Sequence, residues 1–148
     1  MKIIAVGKTE NNFAKIIADY EKRLPKNWAI EWKIIPYSRK SGNDSRREET
    51  AKIREKIQPG DYVILLDERG RELASPEFSR KIEEILPVKN VVFVLGGAYG
   101  VAEDFRADAD FCLSFSKMVF PHHIARLVLI EQIYRAWAIS RNMPYHHV

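Results

Sequence analysis

Residues 96–100 (Gly-Gly-Ala-Tyr-Gly) have the composition of a loop that a small ligand can approach closely, and they directly follow the apolar run at 91–95. Adjacent glycines remove the side chains that would keep a ligand off the backbone, and they tolerate positive φ angles. The loop lacks the first, third and sixth glycines of the dinucleotide fingerprint, so a Rossmann dehydrogenase is disfavoured. A ligand-binding loop and a plain tight turn both fit these residues.

A second segment with binding potential is the polar turn at residues 114–121 (Ser-Phe-Ser-Lys-Met-Val-Phe-Pro), which follows another apolar run. Its backbone amides and carbonyls could surround an adenine ring, while Phe115, Met118 and Phe120 supply apolar walls. In the alternative interpretation, which the residues alone favour, the turn only connects a strand to a helix that begins near Pro121.

The C-terminal part of the chain is basic and contains every histidine. Beyond residue 116 a single acid, Glu131, accompanies four cations, which are Lys117, Arg126, Arg135 and Arg141. This charge indicates a surface that faces phosphate groups, with Arg126 as one contributor, although a solvated helix face has the same composition. Glu131 and Arg135 stand four residues apart and can form an ion pair on a helix.

Other candidate ligands and acid–base groups carry less weight. The adjacent pairs His122 with His123, and His146 with His147, lack a carboxylate or cysteine at ligand spacing, so we expect no metal site. The acidic residues at 67–68 could act as paired carboxylates, but a solvated turn at a strand end is the favoured interpretation.

Apolar runs at 2–6, 62–66, 91–95 and 111–115 predict strands, as does the alternation of apolar and charged residues at 30–34, and helical patterns lie between them. Strands that alternate with helices imply an α/β fold, a mostly parallel sheet with helices on both faces. In such sheets ligands bind beyond the carboxyl ends of the strands, so the loops after Leu66, Leu95 and Phe115 should converge on one pocket. Ser45 with Glu48 suggests a capping box that opens the second helix, and the last helix is expected to be amphipathic.

Length and composition restrict the class of protein. A chain of 148 residues predicts one domain, 1–148, and its apolar runs are too short to span a bilayer. The first residues enter a strand directly, without the pattern of a signal peptide, so we expect a cytoplasmic protein. Cys112 is the only cysteine, which excludes an internal disulfide. The net charge of +4 permits a polyanionic partner.

Taken together, several motifs resemble the small bacterial RlmH family across essentially the whole chain. They are Leu-Gly-Gly-Ala-Tyr-Gly at 95–100, Leu-Ser-Phe-Ser-Lys-Met-Val-Phe-Pro-His at 113–122, Arg-Leu-Val-Leu-Ile-Glu-Gln-Ile-Tyr-Arg-Ala at 126–136, Pro-Tyr-His at 144–146, and the opening Met-Lys-Ile-Ile-Ala-Val-Gly-Lys. The length of the chain matches the family as well.

This resemblance implies a SPOUT-class methyltransferase, a homodimer whose C-terminal part is threaded into a trefoil knot. It would transfer a methyl group from S-adenosylmethionine to N3 of a pseudouridine in large-subunit (23S) ribosomal RNA, on the assembled ribosome. By matching position, the cofactor-binding residues would be Leu66, Gly96, Phe115, Ser116, Lys117, Met118, Val119 and Phe120. Val119 stands where the family motif has threonine, so its contribution would come through the backbone.

The chemistry of such a transfer requires groups that occur in the C-terminal tail, residues 144–148. The target nitrogen carries a proton that must leave before or during attack, which requires a base or stabilisation of the anion. We expect His146 to be the base, Tyr145 to position it and Arg135 to counter negative charge. Two other classes remain open at this point, a noncatalytic ribosome- or RNA-binding factor and another nucleotide-dependent α/β enzyme.

Overall fold

The computed structural model describes residues 1–146, so His147 and Val148 lie outside the described part of the chain. Five strands alternate with five helices, and a short 3-10 turn at Lys26–Trp28 precedes the second strand. In chain order the elements are β1 (Lys2–Val6), α1 (Asn11–Glu21), β2 (Glu31–Ile35), α2 (Gly42–Arg54), β3 (Tyr62–Glu72), α3 (Ser75–Ile85), β4 (Val91–Leu95), α4 (Glu103–Asp108), β5 (Phe111–Ser114) and α5 (His122–Ser140).

The strands form one sheet in the order β2-β1-β4-β3-β5, and every neighbouring pair is parallel. Successive side chains of a strand point to opposite faces, so each strand contributes to two cores. On one face the sheet packs with α1, α3 and α5 through a core that includes Ile3, Phe93, Ile82, Leu129 and Ile133. The opposite core contains residues from α2 and the segment around α4. The predicted α/β class with helices on both faces is confirmed.

Strand β3 does not end at Leu66 as the sequence suggested. It continues to Glu72, and Leu113 of β5 pairs with Leu66 and again with Arg71, which leaves an irregularity between the two contacts. The backbone passes so close at Gly70 that an added methyl group would lie 2.7 Å from the carbonyl oxygen of Cys112. The predicted turn at 67–70 is therefore wrong, because this segment belongs to β3, although Glu68 and Arg69 are exposed as expected of a solvated segment. Threading of the C-terminal part into a knot stays a prediction.

Helix α2 begins earlier than the capping-box pattern indicated. Gly42 is its first residue, Ser41 precedes it, and Ser45 is buried within the helix. The side chain of Glu48 accepts hydrogen bonds from Ser38 (2.9 Å) and Lys52 (2.6 Å). The capping-box prediction is wrong because this carboxylate is used by a neighbouring loop and by the next helical turn.

The apolar residues of α5 do not lie on one side of the helix, so the predicted single apolar face is wrong. Leu129 and Ile133 are buried, whereas Ile124, Leu127 and Trp137 remain half-exposed on other sides. Helices α1 and α3 both pack against it. No helix within residues 1–146 is long and apolar enough to cross a membrane.

Arg126 lies inside the protein and does not face a phosphate-binding surface. Only 1% of the residue is exposed. Its guanidinium donates hydrogen bonds to the carbonyl oxygens of Val6 (2.6 Å) and Gly7 (2.7 Å) and to the hydroxyl of Thr9 (2.7 Å). Burial lowers the pKa of this guanidinium. The predicted contribution of Arg126 to phosphate binding is wrong, and the residue instead ties α5 to the end of β1.

We expect Arg126→Ala to lower the free energy of unfolding by about 3 kcal/mol, because two buried carbonyl groups lose their donor and a cavity remains. Urea unfolding followed by circular dichroism measures this loss. Arg141→Ala is the matched control, since Arg141 is exposed just after the same helix. Equal stability of the two variants would contradict the tethering role of Arg126.

Candidate functional site

The irregular part of β3 after Leu66 and the carboxyl ends of β4 and β5 surround one cavity of about 450 Å³. Small-molecule sites typically measure roughly 300–1,000 Å³, so a nucleoside-sized ligand fits this volume. The three segments predicted to converge, after Leu66, after Leu95 and around Phe115, therefore do meet in space, although the first of them lies within β3. The lining comprises Arg46, Leu65, Leu66, Asp67, Glu68, Arg69, Leu95, Gly96, Gly97, Ala98, Tyr99, Gly100, Val101, Leu113, Phe115, Ser116, Met118, Val119, Phe120, His122 and Ala125.

The glycine-rich loop is both a tight turn and part of the cavity wall. The N–H of Gly100 donates to the carbonyl of Gly97 (2.8 Å), and Gly100 has a positive φ of 71°. A methyl group at Gly96 would lie 2.9 Å from the carbonyl carbon of Gly100, and one at Gly97 would overlap Oε2 of Glu49. Both positions require glycine for packing, and together they expose backbone to the cavity.

The turn after β5 is held by its own serines. The Ser114 hydroxyl donates to the carbonyl of Ser116 (2.8 Å), and the N–H of Met118 donates to the Ser116 hydroxyl (3.0 Å). Met118 and Val119 are 72% and 83% exposed although both line the cavity. Of the eight residues expected to bind the cofactor, seven line the cavity and Lys117 does not.

Charged side chains from β3 and α4 form a network at one side of the cavity. The Asp67 side chain is 9% exposed and is paired with Arg106, while Arg69 donates to Glu103 (2.8 Å). Burial alone would raise the pKa of Asp67, but hydrogen bonds from Arg106 and Arg69 outweigh it and lower that pKa. Asp67 is therefore a paired anion rather than a proton-transfer group.

Replacing Asp67 with asparagine should lower stability at pH 7 by about 1–3 kcal/mol, because Arg106 keeps its position without a counter-charge. The lowered pKa means that wild-type Asp67 contributes stability above its unfolded pKa and loses that contribution as pH falls through the folded pKa. The difference in free energy of unfolding between wild type and Asp67→Asn should thus persist at neutral pH and become smaller only below about pH 4.

Denaturant unfolding at pH 7 and at pH 3 tests this expectation. Glu68→Gln is the matched control, since Glu68 is the exposed neighbour and forms no ion pair within residues 1–146. If the difference in free energy of unfolding between wild type and Asp67→Asn is the same at both pH values, the charge of Asp67 does not stabilise the fold.

The three residues expected to be catalytic lie together near the end of α5. Nη1 of Arg135 is 3.3 Å from Nδ1 of His146, and the Arg135 guanidinium lies 4.8 Å from the centre of the Tyr145 ring. Glu131, which accepts from Arg135 (2.5 Å) and from the Tyr145 hydroxyl (3.1 Å), joins the group. Burial and a hydrogen bond with Tyr20 raise the pKa of Tyr145, so its hydroxyl stays protonated.

These three residues do not line the cavity within one chain. His122 at the start of α5 does line it, and Arg135 is thirteen residues further along the same helix. A rise of 1.5 Å per residue separates the two ends by roughly 20 Å. The residues predicted from the sequence thus form two groups at opposite ends of one helix.

Three residues near the cavity were not anticipated from the sequence. Arg46 and His122 line it. Burial lowers the pKa of His122, and the nearby positive charge of Arg126 lowers it further. Glu49 is buried against Gly97, with Oε2 lacking a hydrogen-bond partner in the described part of the chain. The only available signal was the cationic composition around Arg46. Within residues 1–146, no cluster of three or more histidine, cysteine, aspartate or glutamate side chains could hold a metal ion.

A parallel sheet whose strand exits enclose a glycine-walled cavity defines an α/β protein that binds a nucleotide-like ligand. The family described as "Predicted SPOUT methyltransferase" matches residues 1–146. The chain belongs to this family and is a methyltransferase.

Similar proteins match over nearly their full length. The chain is 41% identical to "Ribosomal RNA large subunit methyltransferase H" of Parabacteroides distasonis, across 98% of this chain and 97% of the relative. A protein of the same name from Dictyoglomus thermophilum is 38% identical across 99% of both chains.

Two solved structures share the fold at 13% sequence identity. A probable methylase family protein from Haemophilus influenzae Rd KW20 superimposes with a TM-score of 0.54, covering 95% of this chain and 66% of that one. The SpoU methyltransferase AviRb from Streptomyces viridochromogenes, solved with the cofactor AdoMet, gives a TM-score of 0.51 and covers 95% of this chain and 58% of that one. The chain thus spans about two thirds or less of these longer proteins.

Proposed function

We propose that this protein transfers a methyl group from S-adenosylmethionine to N3 of a pseudouridine in large-subunit ribosomal RNA, acting in the cytoplasm on the assembled ribosome. The observation that carries the proposal is the cavity at the three strand exits, in a chain that matches rRNA large subunit methyltransferases from end to end.

The residues around the cavity suit S-adenosylmethionine. Leu66, Leu95 and Phe115 offer apolar surface, and the backbone at 96–100 can be approached closely because two glycines stand there. The serine-held turn after β5 presents backbone groups that could recognise an adenine edge. When bound, the cofactor supplies an already activated methyl group, so the main task of these residues is to position it.

Removal of the target proton is assigned to the tail. Because a guanidinium only donates hydrogen bonds, Nδ1 of His146 accepts from Arg135, and a neutral ring then carries its own proton on Nε2. His146 can take up a proton at Nδ1 only after Arg135 moves from that nitrogen to the anion forming on the substrate. Tyr145, which donates to Glu131, holds this group beside α5.

A homodimer would bring the tail of one subunit to the cavity of the other. Within one chain the two groups are roughly 20 Å apart along α5. Met118 and Val119 in the turn are exposed, and Leu127 and Trp137 on α5 are half-exposed. Burying these side chains against a second copy would stabilise the dimer through the hydrophobic effect.

The test is incubation of the protein with labelled S-adenosylmethionine and ribosomes that lack the modification, followed by mapping of the labelled nucleotide. Label at N3 of one pseudouridine of the large-subunit RNA is the expected result. Calorimetric titration separates the other classes, because a noncatalytic RNA-binding factor would give no heat with S-adenosylmethionine and a nucleotide-dependent enzyme would prefer another nucleotide. Absence of label with wild-type protein and competent ribosomes would refute the proposal.

A further inference from the structure

The cations of the C-terminal part form a smaller free surface than their number suggests. Arg126 is buried, and Arg135 is engaged by Glu131 at 2.5 Å. Only Lys117 and Arg141 of the four remain exposed. An RNA substrate therefore needs phosphate contacts from another part of the described chain.

Residues 39–47 form a second cationic segment, which we call the α2 basic segment. It contains four cations, Arg39, Lys40, Arg46 and Arg47, against one acid, Asp44. Arg39 and Arg47 are exposed, and neither has an acidic partner within residues 1–146. Two guanidinium groups are thus free to contact a polyanion.

The loop that carries Arg39 and Lys40 is fixed by α2. The N–H of Ser38 donates to Glu49 (2.9 Å), its hydroxyl donates to Glu48 (2.9 Å), and the N–H of Lys40 donates to the Ser38 hydroxyl (3.1 Å). Hydrogen bonds from Lys52 and Ser38 lower the pKa of Glu48 to about 2, so this carboxylate is always charged at neutral pH. The basic side chains are therefore presented by a pre-ordered backbone.

The α2 basic segment also adjoins the cavity. It follows the carboxyl end of β2, at the same edge of the parallel sheet as the three strand exits. Arg46 lines the cavity directly. Behind it, the hydroxyl of Thr50 accepts from the N–H of Ala102 (3.0 Å), which docks α2 against the chain that follows the glycine-rich loop.

We propose that the α2 basic segment binds the phosphate backbone of the substrate RNA beside the nucleotide that enters the cavity. The inference rests on the proposed function and names a binding surface for that substrate. Guanidinium groups suit phosphate because their planar fork makes paired, charge-assisted hydrogen bonds. Contacts of this kind fix the position of the RNA, while recognition of the base remains with the cavity.

The decisive variant is Arg39→Gln with Arg47→Gln, because neither residue lines the cavity. We expect the KM for ribosomes lacking the modification to rise about tenfold or more, with kcat at saturating ribosomes and the affinity for S-adenosylmethionine unchanged. The slope of log(kcat/KM) against log[salt], measured at constant Mg²⁺, should become shallower by about 1.4–1.8, since each of the two lost phosphate contacts removes roughly 0.7–0.9.

Arg80→Gln with Lys89→Gln is the matched control, since it removes two exposed cations from α3 and from the amino end of β4. This control should keep both the wild-type KM and the wild-type salt dependence. Arg46→Gln, tested separately, should raise the KM for ribosomes more than it weakens cofactor binding. Circular dichroism verifies that all variants are folded.

The outcomes separate this inference from the proposed function. If wild type methylates ribosomes and the Arg39/Arg47 variant keeps the wild-type KM and salt dependence, the phosphate-binding surface is refuted while the function stands. If both double variants show the same rise in KM and the same loss of salt dependence, the total charge of the protein and not this segment determines binding. The inference is refuted in that case as well. If wild type neither methylates nor co-sediments with ribosomes, the function and the surface fail together.

Discussion

Gly96→Val should weaken the binding of S-adenosylmethionine at least about 100-fold. Even a methyl group at this position would lie 2.9 Å from the carbonyl carbon of Gly100 and 3.1 Å from Cγ1 of Val101. The first of these neighbours is backbone and cannot rotate away, so a β-branched side chain either opens the tight turn at 97–100 or projects into the cavity. Both responses remove the surface against which the cofactor would lie.

Calorimetric titration with S-adenosylmethionine measures this effect, and thermal unfolding shows whether Gly96→Val remains folded. Gly60→Ala is the control, because Gly60 has a positive φ of 89° and empty space around it, away from the cavity. The control should lose about 1 kcal/mol of stability and keep the wild-type affinity. A folded Gly96→Val protein with unchanged affinity would remove the cavity from consideration as the cofactor site.

The sheet and its cavity could be predicted from the sequence because parallel strands leave a strong local signal. The run at 91–95 is apolar at every position, as expected for a strand covered on both faces, and its five residues are all buried. The exits of such strands necessarily share one edge, so the convergence of the loops after Leu66, Leu95 and Phe115 followed from topology.

Features that depend on distant partners could not be read from the sequence. Asp67 resembles a turn residue until Arg106, 39 positions later, is seen to pair with it. Arg126 resembles a surface cation, but the carbonyl groups at the end of β1 provide its acceptors. In both cases a charged residue in the sequence predicts a solvated side chain. In the structure, partners that are distant in sequence satisfy the charge inside the fold.

The separation of the candidate site into two groups follows from the length of α5. The cofactor loop and the tail both lie in the last third of the chain. A helix of 19 residues intervenes, and Arg135, which His146 contacts, lies roughly 20 Å along it from His122 beside the cavity. Closeness in sequence was therefore a poor guide to closeness in space.

His146→Ala should reduce kcat by about 10²–10⁴-fold, the usual contribution of a general base, while leaving cofactor affinity unchanged. The ring belongs to the group with Arg135 and Tyr145, which lies outside the cavity of its own chain. Single-turnover methylation of ribosomes lacking the modification, with cofactor titration in parallel, measures both quantities. Full activity of His146→Ala would remove it as the base.

A heterodimer of Gly96→Val and His146→Ala subunits tests whether the tail acts on the partner's cavity. If it does, the intact cavity of the His146→Ala subunit meets the intact tail of the Gly96→Val subunit, and one of two sites works. Heterodimers purified through two different affinity tags should then recover about half of the wild-type turnover. If the tail serves its own cavity, every site in this heterodimer carries a lesion and no activity returns.

The reciprocal heterodimer pairs a wild-type subunit with one that carries both substitutions, and it reverses the expectation. With a tail acting on its partner, the intact wild-type cavity receives the defective tail, so turnover should be lost although half of the cavities bind cofactor. With a tail acting on its own chain, the wild-type subunit keeps half of the activity. Since both heterodimers contain the same substitutions in equal number, their difference in turnover reports only which subunit supplies the base.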